Sequence, residues 1–424
     1  MKMRCEFNSI ENNDTLEFPY LPKDPFSLEQ RRYGFIILHI IGVFYIFFAI
    51  AVVCYDFFIP TLEATIKKFR INYYVVGTIF MAIDMGITQL LTSVIDVIVL
   101  FDVSIGAVLS SGIFRILFSI GLCAIFSRTF LSLAWGSLFR ECTFYSVSLV
   151  VLMYFIHDNL IHWWEAFILI LIYGVYLIFV TLDIIIETIP TTLTNARYTF
   201  VNDNNQINVQ PPTPMDAHPL TTNKSLKNII ANRSKALQIV IAVILTPMES
   251  TLPNIRKLHQ SGLIIWWAFL GSIMWLSVLA YLLIWFVFVI SDTFNISAEV
   301  MRLTIIATAT SIPNIMSSVI VARKGYDDMA VASSVGSSIF GITFCLPAPL
   351  MIYSIYYKIP VKVNSCGLPC LVAVTFIILM CIILLLVVFR WRVNKRLGVI
   401  MFFLYFLFIV ISVILDYGYV VCPI

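Results

Sequence analysis

Two short stretches of this chain place oxygen-bearing side chains at a spacing that could hold a hard cation. Gln89, Thr92 and Ser93 stand at i, i+3 and i+4, so on a helix they share one face. Asn314, Ser317 and Ser318 repeat that face, and Ser111 and Ser337 offer further oxygens from the stretches that follow. Hard cations are bound through oxygen. In lipid an unpartnered polar stripe is costly and must face the protein interior. Two such stripes meeting near mid-membrane would line a small chamber. The plainer reading is that small and hydroxylated residues let helices approach closely. For one stripe alone that reading is the stronger; the doubling favours an ion site.

The doubling is an internal repeat. Ile87-Thr88-Gln89-Leu90-Leu91-Thr92-Ser93-Val94-Ile95 is similar to Ile312-Pro313-Asn314-Ile315-Met316-Ser317-Ser318-Val319-Ile320. Ser110-Ser111-Gly112-Ile113-Phe114-Arg115-Ile116 is similar to Gly336-Ser337-Ser338-Ile339-Phe340-Gly341-Ile342. An Asp precedes each of the later stretches, Asp102 and Asp328, twelve positions before Phe114 and Phe340.

The elements that must position these residues are membrane spans. Of 424 residues, 60% are hydrophobic and 12% charged, against about 25% charged in soluble domains. Mean hydropathy is +0.95. A net charge of +3 does not suggest a nucleic-acid partner. Spans need roughly 20 apolar residues, and ten are expected: Gly34–Phe58, Val75–Leu100, Ile105–Phe126, Phe144–Phe155 (with a start nearer Ala134), Trp164–Ile186, Leu263–Ile290, Val300–Val321, Met329–Tyr353, Leu371–Val388 and Val399–Val421. The fold class is therefore an all-α integral membrane protein, ten transmembrane helices in two five-helix repeats of inverted topology. Its parts are a tail at 1–33, a first repeat at 34–190, a cytoplasmic loop at 191–262 and a second repeat at 263–424.

That loop holds Asn202, Asp203, Asn204, Asn205 and Gln206, then Pro211, Pro212 and Pro214, and disorder is expected over much of it. Its part from Ser225 to Leu245 could form an interfacial helix. With the loop inside, the inner connections carry eighteen Lys and Arg and the outer ones only Lys358 and Lys362, the N-terminal tail set aside. This bias puts both termini outside, in a multi-pass protein of the plasma membrane. Sequons at Asn13 and Asn295 are compatible with it. The first 33 residues hold six acids, five bases and no apolar run, unlike a cleaved signal peptide. The nine cysteines form no CxxC pair and the five histidines do not cluster. A disulfide among Cys366, Cys370 and Cys422 is possible.

Several motifs resemble the potassium-dependent sodium/calcium exchangers. They are Thr310-Ser311-Ile312-Pro313-Asn314, Ser318-Val319-Ile320-Val321-Ala322-Arg323-Lys324-Gly325, Asp328-Met329-Ala330-Val331, Ser334-Val335-Gly336-Ser337 and Leu346-Pro347-Ala348-Pro349 in the second half. Leu91-Thr92-Ser93-Val94-Ile95, Ile116–Ser127 and Trp163-Trp164-Glu165 carry the likeness in the first. The resemblance covers all ten spans. It implies alternating-access antiport of sodium against calcium with potassium, inorganic cations as the partners in lipid, and no bound cofactor. The oligomeric state is left open. By resemblance the ion pathway is lined by Gln89, Thr92, Ser93, Ser111, Arg115, Ser311, Asn314, Ser318, Ser337, Ser338 and Gly341.

The departures fall on that pathway. Thr88-Gln89 stands for the family's Pro-Glu, and Asn314 and Gly341 for Asp. Ser338 and Arg115 stand for Asn. By the resemblance, the acids matched by Gln89 and Asn314 hold calcium and the one matched by Gly341 is tied to potassium. Three lost carboxylates and one gained guanidinium make the chamber four charge units more positive. At about 5 Å and an effective dielectric of 20, each unit is worth roughly 7 kcal/mol against a divalent ion. Asp84 and Asp96 are possible compensating acids of the second span. Either could neutralise Arg115, build a relocated ion site, or lie at the interface. Asp56 stands where the family has an acidic pair, and Pro313 could break its span and free carbonyls. Two main functions stay open: a working antiporter with altered ion choice, and a relative that keeps the fold, has lost the calcium and potassium ligands and acts through partners. An enzyme is the weakest class, because His157, Asp158 and His162 read as a loop.

Overall fold

The computed structural model describes residues 24–69, 76–95, 97, 105–126, 131–132, 135–202, 243, 245–253, 262–294, 304–305, 307–323, 325–363, 368–389 and 392–416. The helices are α1 (Leu28–Ile66), α2 (Ala82–Ile95), α3 (Ile105–Phe126), α4 (Trp135–Ile156), α5 (Trp163–Asn202), α6 (Gly262–Thr293), α7 (Ala307–Arg323), α8 (Met329–Tyr357), α9 (Leu368–Val388) and α10 (Lys395–Asp416). Among the described residues, eight helices are long and apolar enough to cross a membrane. Outside those eight, α2, which a π-helical turn over Val76–Met81 precedes without a break, and α7 carry the polar stripes.

Burial separates the helices into two classes. The most apolar stretches of α3 and α8 are 83% and 78% buried, against 33% for α5 and α10. So α3 and α8 form the centre, and α5, α9 and α10 present Phe179, Leu384, Phe403 and Phe406 outward, as lipid contact requires. The central pair is rich in Gly, Ala and Ser, which lets backbones come close. At Gly398 of α10 an added Cβ would lie 2.8 Å from the Gly121 carbonyl oxygen of α3.

Two short strand pairs tie the halves together. β1 (Leu131–Ser132), between α3 and α4, pairs antiparallel with β4 (Arg392–Val393), between α9 and α10. β2 (Leu160–Ile161), between α4 and α5, pairs with β3 (Val361–Lys362), between α8 and α9. α4 separates β1 from β2 and α9 separates β3 from β4, so the two ladders sit at opposite ends of these helices.

Several expectations need correction. α1 begins at Leu28 and runs to Ile66, beyond both expected ends. It is held at its start by Arg31, whose guanidinium bridges Asp24 (3.5 Å) and Asp292 of α6 (3.1 Å), while Asp24 also meets His39 at 3.3 Å. α4 begins at Trp135, beside the expected start near Ala134, and Arg140 and Glu141 lie within the helix. α5 extends helically to Asn202, into the stretch expected to be disordered. Pro313 does not break α7, which stays helical through it. The segment Ser225 to Leu245 falls almost wholly outside the described residues. The described 245–251 is helical, with Met248 and Leu252 buried and Thr251 accepting a bond from Trp275 Nε1 at 2.9 Å. Cys370 is disulfide-bonded, while Cys366, Cys422 and both sequons lie outside the described residues.

Candidate functional site

Each polar stripe bonds to the helix that follows it through a matched pair of residues, with donor and acceptor exchanged between the halves. Ser111 Oγ of α3 donates to Gln89 Oε1 of α2 at 2.8 Å. At the matched positions, Asn314 Nδ2 of α7 donates to Ser337 Oγ of α8, also at 2.8 Å. The second half extends the network: Ser318 Oγ donates to Asn314 Oδ1 at 3.0 Å and lies 3.0 Å from Ser333 Oγ. Ser311 donates to the Ala307 carbonyl within its own helix. Gln89, Ser93, Ser111, Ser311, Asn314, Ser318, Ser337 and Ser338 are all buried. Thr92 lies on α2, but its side chain is outside the described set, as is that of Asp84. Asp96 is not among the described residues.

The halves meet where α3 crosses α8. Ser338 Oγ donates to the Gly112 carbonyl at 3.0 Å across 226 residues, and these two positions match each other in the repeat. One turn on, the next matched pair also meets. A Cβ at Gly341 would stand 2.9 Å from Arg115 Nη2 and 4.0 Å from Gln89 Cγ. The guanidinium therefore occupies the room that a side chain at 341 would fill. Ser334 Oγ donates to Ser119 Oγ at 2.9 Å and completes the crossing.

Each of these crossing helices widens at the same place. α3 has a π-helical turn over Arg115–Ser119, and α8 has one over Gly341–Cys345. Such turns occur often at functional sites. They begin at the two matched residues in contact. An aromatic group flanks each turn. Phe114 and Phe118 stack at 4.7 Å and Phe114 meets Tyr405 of α10 at 4.8 Å. Phe340 and Phe344 stack at 5.0 Å and Phe340 meets Tyr173 of α5 at 5.0 Å. Each half thus closes the other's central helix with a tyrosine.

Arg115 is fully buried, and its Nε, Nη1 and Nη2 donate to no acceptor among the described residues. Nor does it form an ion pair with a described carboxylate. Gly341 brings no acid, and Gln89 and Asn314 hold their hydroxyl partners as neutral amides. Among the described residues no group of three or more His, Cys, Asp or Glu could hold a metal ion. Neutral oxygens remain, enough to line an ion path but not to neutralise a divalent ion.

The sequence reading missed Tyr145 and Glu141. With Ser148 they form a fully buried stripe at i, i+4 and i+7 on α4. Thr78 Oγ1 lies 3.4 Å from Glu141 Oε1, and Tyr145 Oη lies 2.8 Å from where a Gly112 Cβ would stand. The signal was the i, i+4 and i+7 spacing of Glu141, Tyr145 and Ser148 along the fourth span. Glu63 of α1 is buried as well. Glu165 has a plainer role, accepting the His162 N–H at 2.8 Å as a helix cap. Asp158 caps a turn by accepting from Leu160 N.

Comparison with known proteins bears on this arrangement. Residues 39–182 and 264–414 match the family "Sodium/calcium exchanger protein". Sodium/potassium/calcium exchanger Nckx30C of Drosophila melanogaster is 33% identical, covering 97% of this chain, which spans 65% of that protein's length. Sodium/potassium/calcium exchanger 2 of Homo sapiens is 33% identical, over 99% of this chain and 84% of its own. Among solved structures, the sodium-calcium exchanger NCX_Mj soaked with 10 mM Na+ and zero Ca2+ superposes with a TM-score of 0.52 at 18% identity, over 88% of this chain and 98% of that one. That likeness speaks to the fold.

Proposed function

The chain belongs to the sodium/calcium exchanger family, and we propose that it is a multi-pass membrane cation antiporter working by alternating access. The observation that carries this reading is the pair of buried amide–hydroxyl contacts at matched positions, Gln89 with Ser111 and Asn314 with Ser337. Polar pairs buried at matched positions of both halves are what an ion path between repeats requires.

The finer architecture is ten spans, with α2 and α7 completing the eight longer helices, in inverted repeats over 34–190 and 263–424. The strand pairs support it. Inversion relates β1 to β3 and β2 to β4, so the pair β1 with β4 has β3 with β2 as its image. The aromatic groups support it in the same way. The positive charge of the inner connections, with 191–262 in the cytoplasm, puts both termini outside and suits the plasma membrane.

The relatives are named for sodium, potassium and calcium. In this chain the ion choice is altered. Gln89 and Asn314 favour monovalent ions over calcium, because neutral amides at these two positions offset less of a divalent ion's dehydration than carboxylates would. The pathway residues are Gln89, Thr92, Ser93, Ser111, Ser311, Asn314, Ser318, Ser337 and Ser338, with Arg115 and Gly341 at the crossing and Asp84 and Asp96 as supplementary acids. The transported ions are substrates, and no bound cofactor is proposed.

One observation favours a second reading, a fold-retaining protein that does not transport: Arg115 already occupies the crossing. Ion-substitution flux in cells separates the two. Sodium-gradient-driven flux of any tested cation supports the antiporter. Calcium, potassium, sodium and proton fluxes all at background, with the protein at the surface, overturn it. The triple change Gln89→Glu, Asn314→Asp and Arg115→Asn is expected to gain calcium flux.

A further inference from the structure

Arg115 leaves a charge unbalanced at the centre of the molecule. A buried cation without a partner costs several kcal/mol, and native proteins almost always supply a counter-charge. Here the guanidinium is fully enclosed and three donor atoms point at no described acceptor. A second orphan lies beside it. Tyr145 Oη is also fully buried and unpartnered among the described residues. It stands against Gly112, one helical turn before Arg115 on the same face of α3. Tyr145 and Arg115 interact electrostatically.

The surroundings define what could satisfy both. The nearby hydroxyls turn their protons elsewhere, Ser111 to Gln89 and Ser338 to the Gly112 carbonyl, and neither accepts from Arg115. Gly341 contributes no side chain. Two unpartnered polar groups lie together, and one carries a full positive charge. A water molecule would supply an acceptor but leave the charge uncompensated, whereas an anion supplies both. The charge of one guanidinium calls for a single negative charge. Complete enclosure calls for a small ion.

We propose that Arg115 and Tyr145 hold a small monovalent inorganic anion of halide size at the crossing of α3 and α8. The anion is a structural counter-ion: it holds the two halves together at a point where the chain has gained a cation and lost its acids. The proposal is independent of whether the protein transports cations, and its test reads stability, so failure of one leaves the other standing.

The test uses the full-length protein purified in detergent. Its unfolding midpoint is followed as sodium chloride is replaced by sodium gluconate at constant sodium and ionic strength. The expected result is a saturable rise of the midpoint with chloride, matched by bromide. Tyr145→Phe, which keeps the ring and removes the donor, is expected to raise the half-saturating chloride about tenfold, since a hydrogen bond to a charged group is lost. Arg115→Asn is expected to abolish the dependence. Should Arg115→Asn fail to fold, the Tyr145→Phe titration decides alone. A wild-type midpoint indifferent to the anion overturns the proposal, as does a dependence unchanged in Tyr145→Phe. Destabilisation by Asp84→Asn or Asp96→Asn that Arg115→Asn relieves would assign the counter-charge to a carboxylate and overturn it equally.

Discussion

Gly341→Asp puts the electrostatics of the crossing to a direct test. An ideal Cβ there stands 2.9 Å from Arg115 Nη2, so any side chain must push the guanidinium aside by a few tenths of an ångström. The obstacle is the flexible end of an arginine and can move. Gly341→Ala measures that displacement by itself, at about 1–3 kcal/mol for overpacking. Gly341→Asp adds a carboxylate within about 3.5 Å of the guanidinium. At an effective dielectric of 20 the attraction is about 5 kcal/mol, and burial of the new carboxylate takes back part of it. The Asp variant should therefore exceed the Ala variant by about 2–4 kcal/mol, which is about 2–5 °C at the unfolding midpoint of a chain this long. The comparison is made in chloride-free buffer, where no external anion competes. Addition of chloride should narrow the gap, by stabilising Gly341→Ala and leaving Gly341→Asp unmoved. An Asp variant no more stable than the Ala variant would refute the claim that Arg115 lies over position 341 as an unbalanced charge.

Three further outcomes follow from the packing. Gly398→Ala would drive a Cβ to 2.8 Å from the Gly121 carbonyl, a backbone atom that cannot swing away. It should cost more in unfolding midpoint than Gly121→Ala, whose nearest atom is at 3.2 Å; equal costs would mean the approach is looser than described. Gly86→Ala drives a Cβ into the Phe340 ring, so surface expression should fall, and Phe340→Leu in the same chain should restore part of it. Arg31→Gln breaks the bridge from Asp24 to Asp292 and the bond to the Val289 carbonyl. It should lower the midpoint by about 1–3 kcal/mol equivalent. Asp292→Asn should cost less, since its side chain is 23% exposed; the reverse order would argue against the bridge.

The sequence carried the plan of the fold and the identity of the matched stripes, because both rest on periodicity and repetition. Gln89 with Ser111 and Asn314 with Ser337 were legible as matched positions. That each pair is hydrogen-bonded was not. The start of α4 near Ala134 was legible although Arg140 and Glu141 depress local hydropathy, but a hydropathy reading cannot know that α4 buries Glu141 and Tyr145 inside the protein. Arg115 was visible as an intruder in a polar stretch, yet only the crossing geometry explains why Gly341 accompanies it. A guanidinium from one helix fills the volume vacated on the other, an exchange of space between positions distant in sequence. Pro313 misled because proline only removes one ladder bond, and the packing around buried α7 keeps the helix continuous through it.

The bonds at the centre of the protein are made late in its synthesis. Cys345 Sγ donates to the Gly86 carbonyl across 259 residues. At about 5–20 residues per second, the ribosome needs roughly 13–50 s to cover that distance. For most of this interval Arg115 has been made and neither Ser338 nor Gly341 has. The first half must therefore survive as a partly polar nascent bundle, open to membrane chaperones and proteases. Substitutions that slow docking of α8 will reduce the amount of protein that matures before they alter anything the mature protein does.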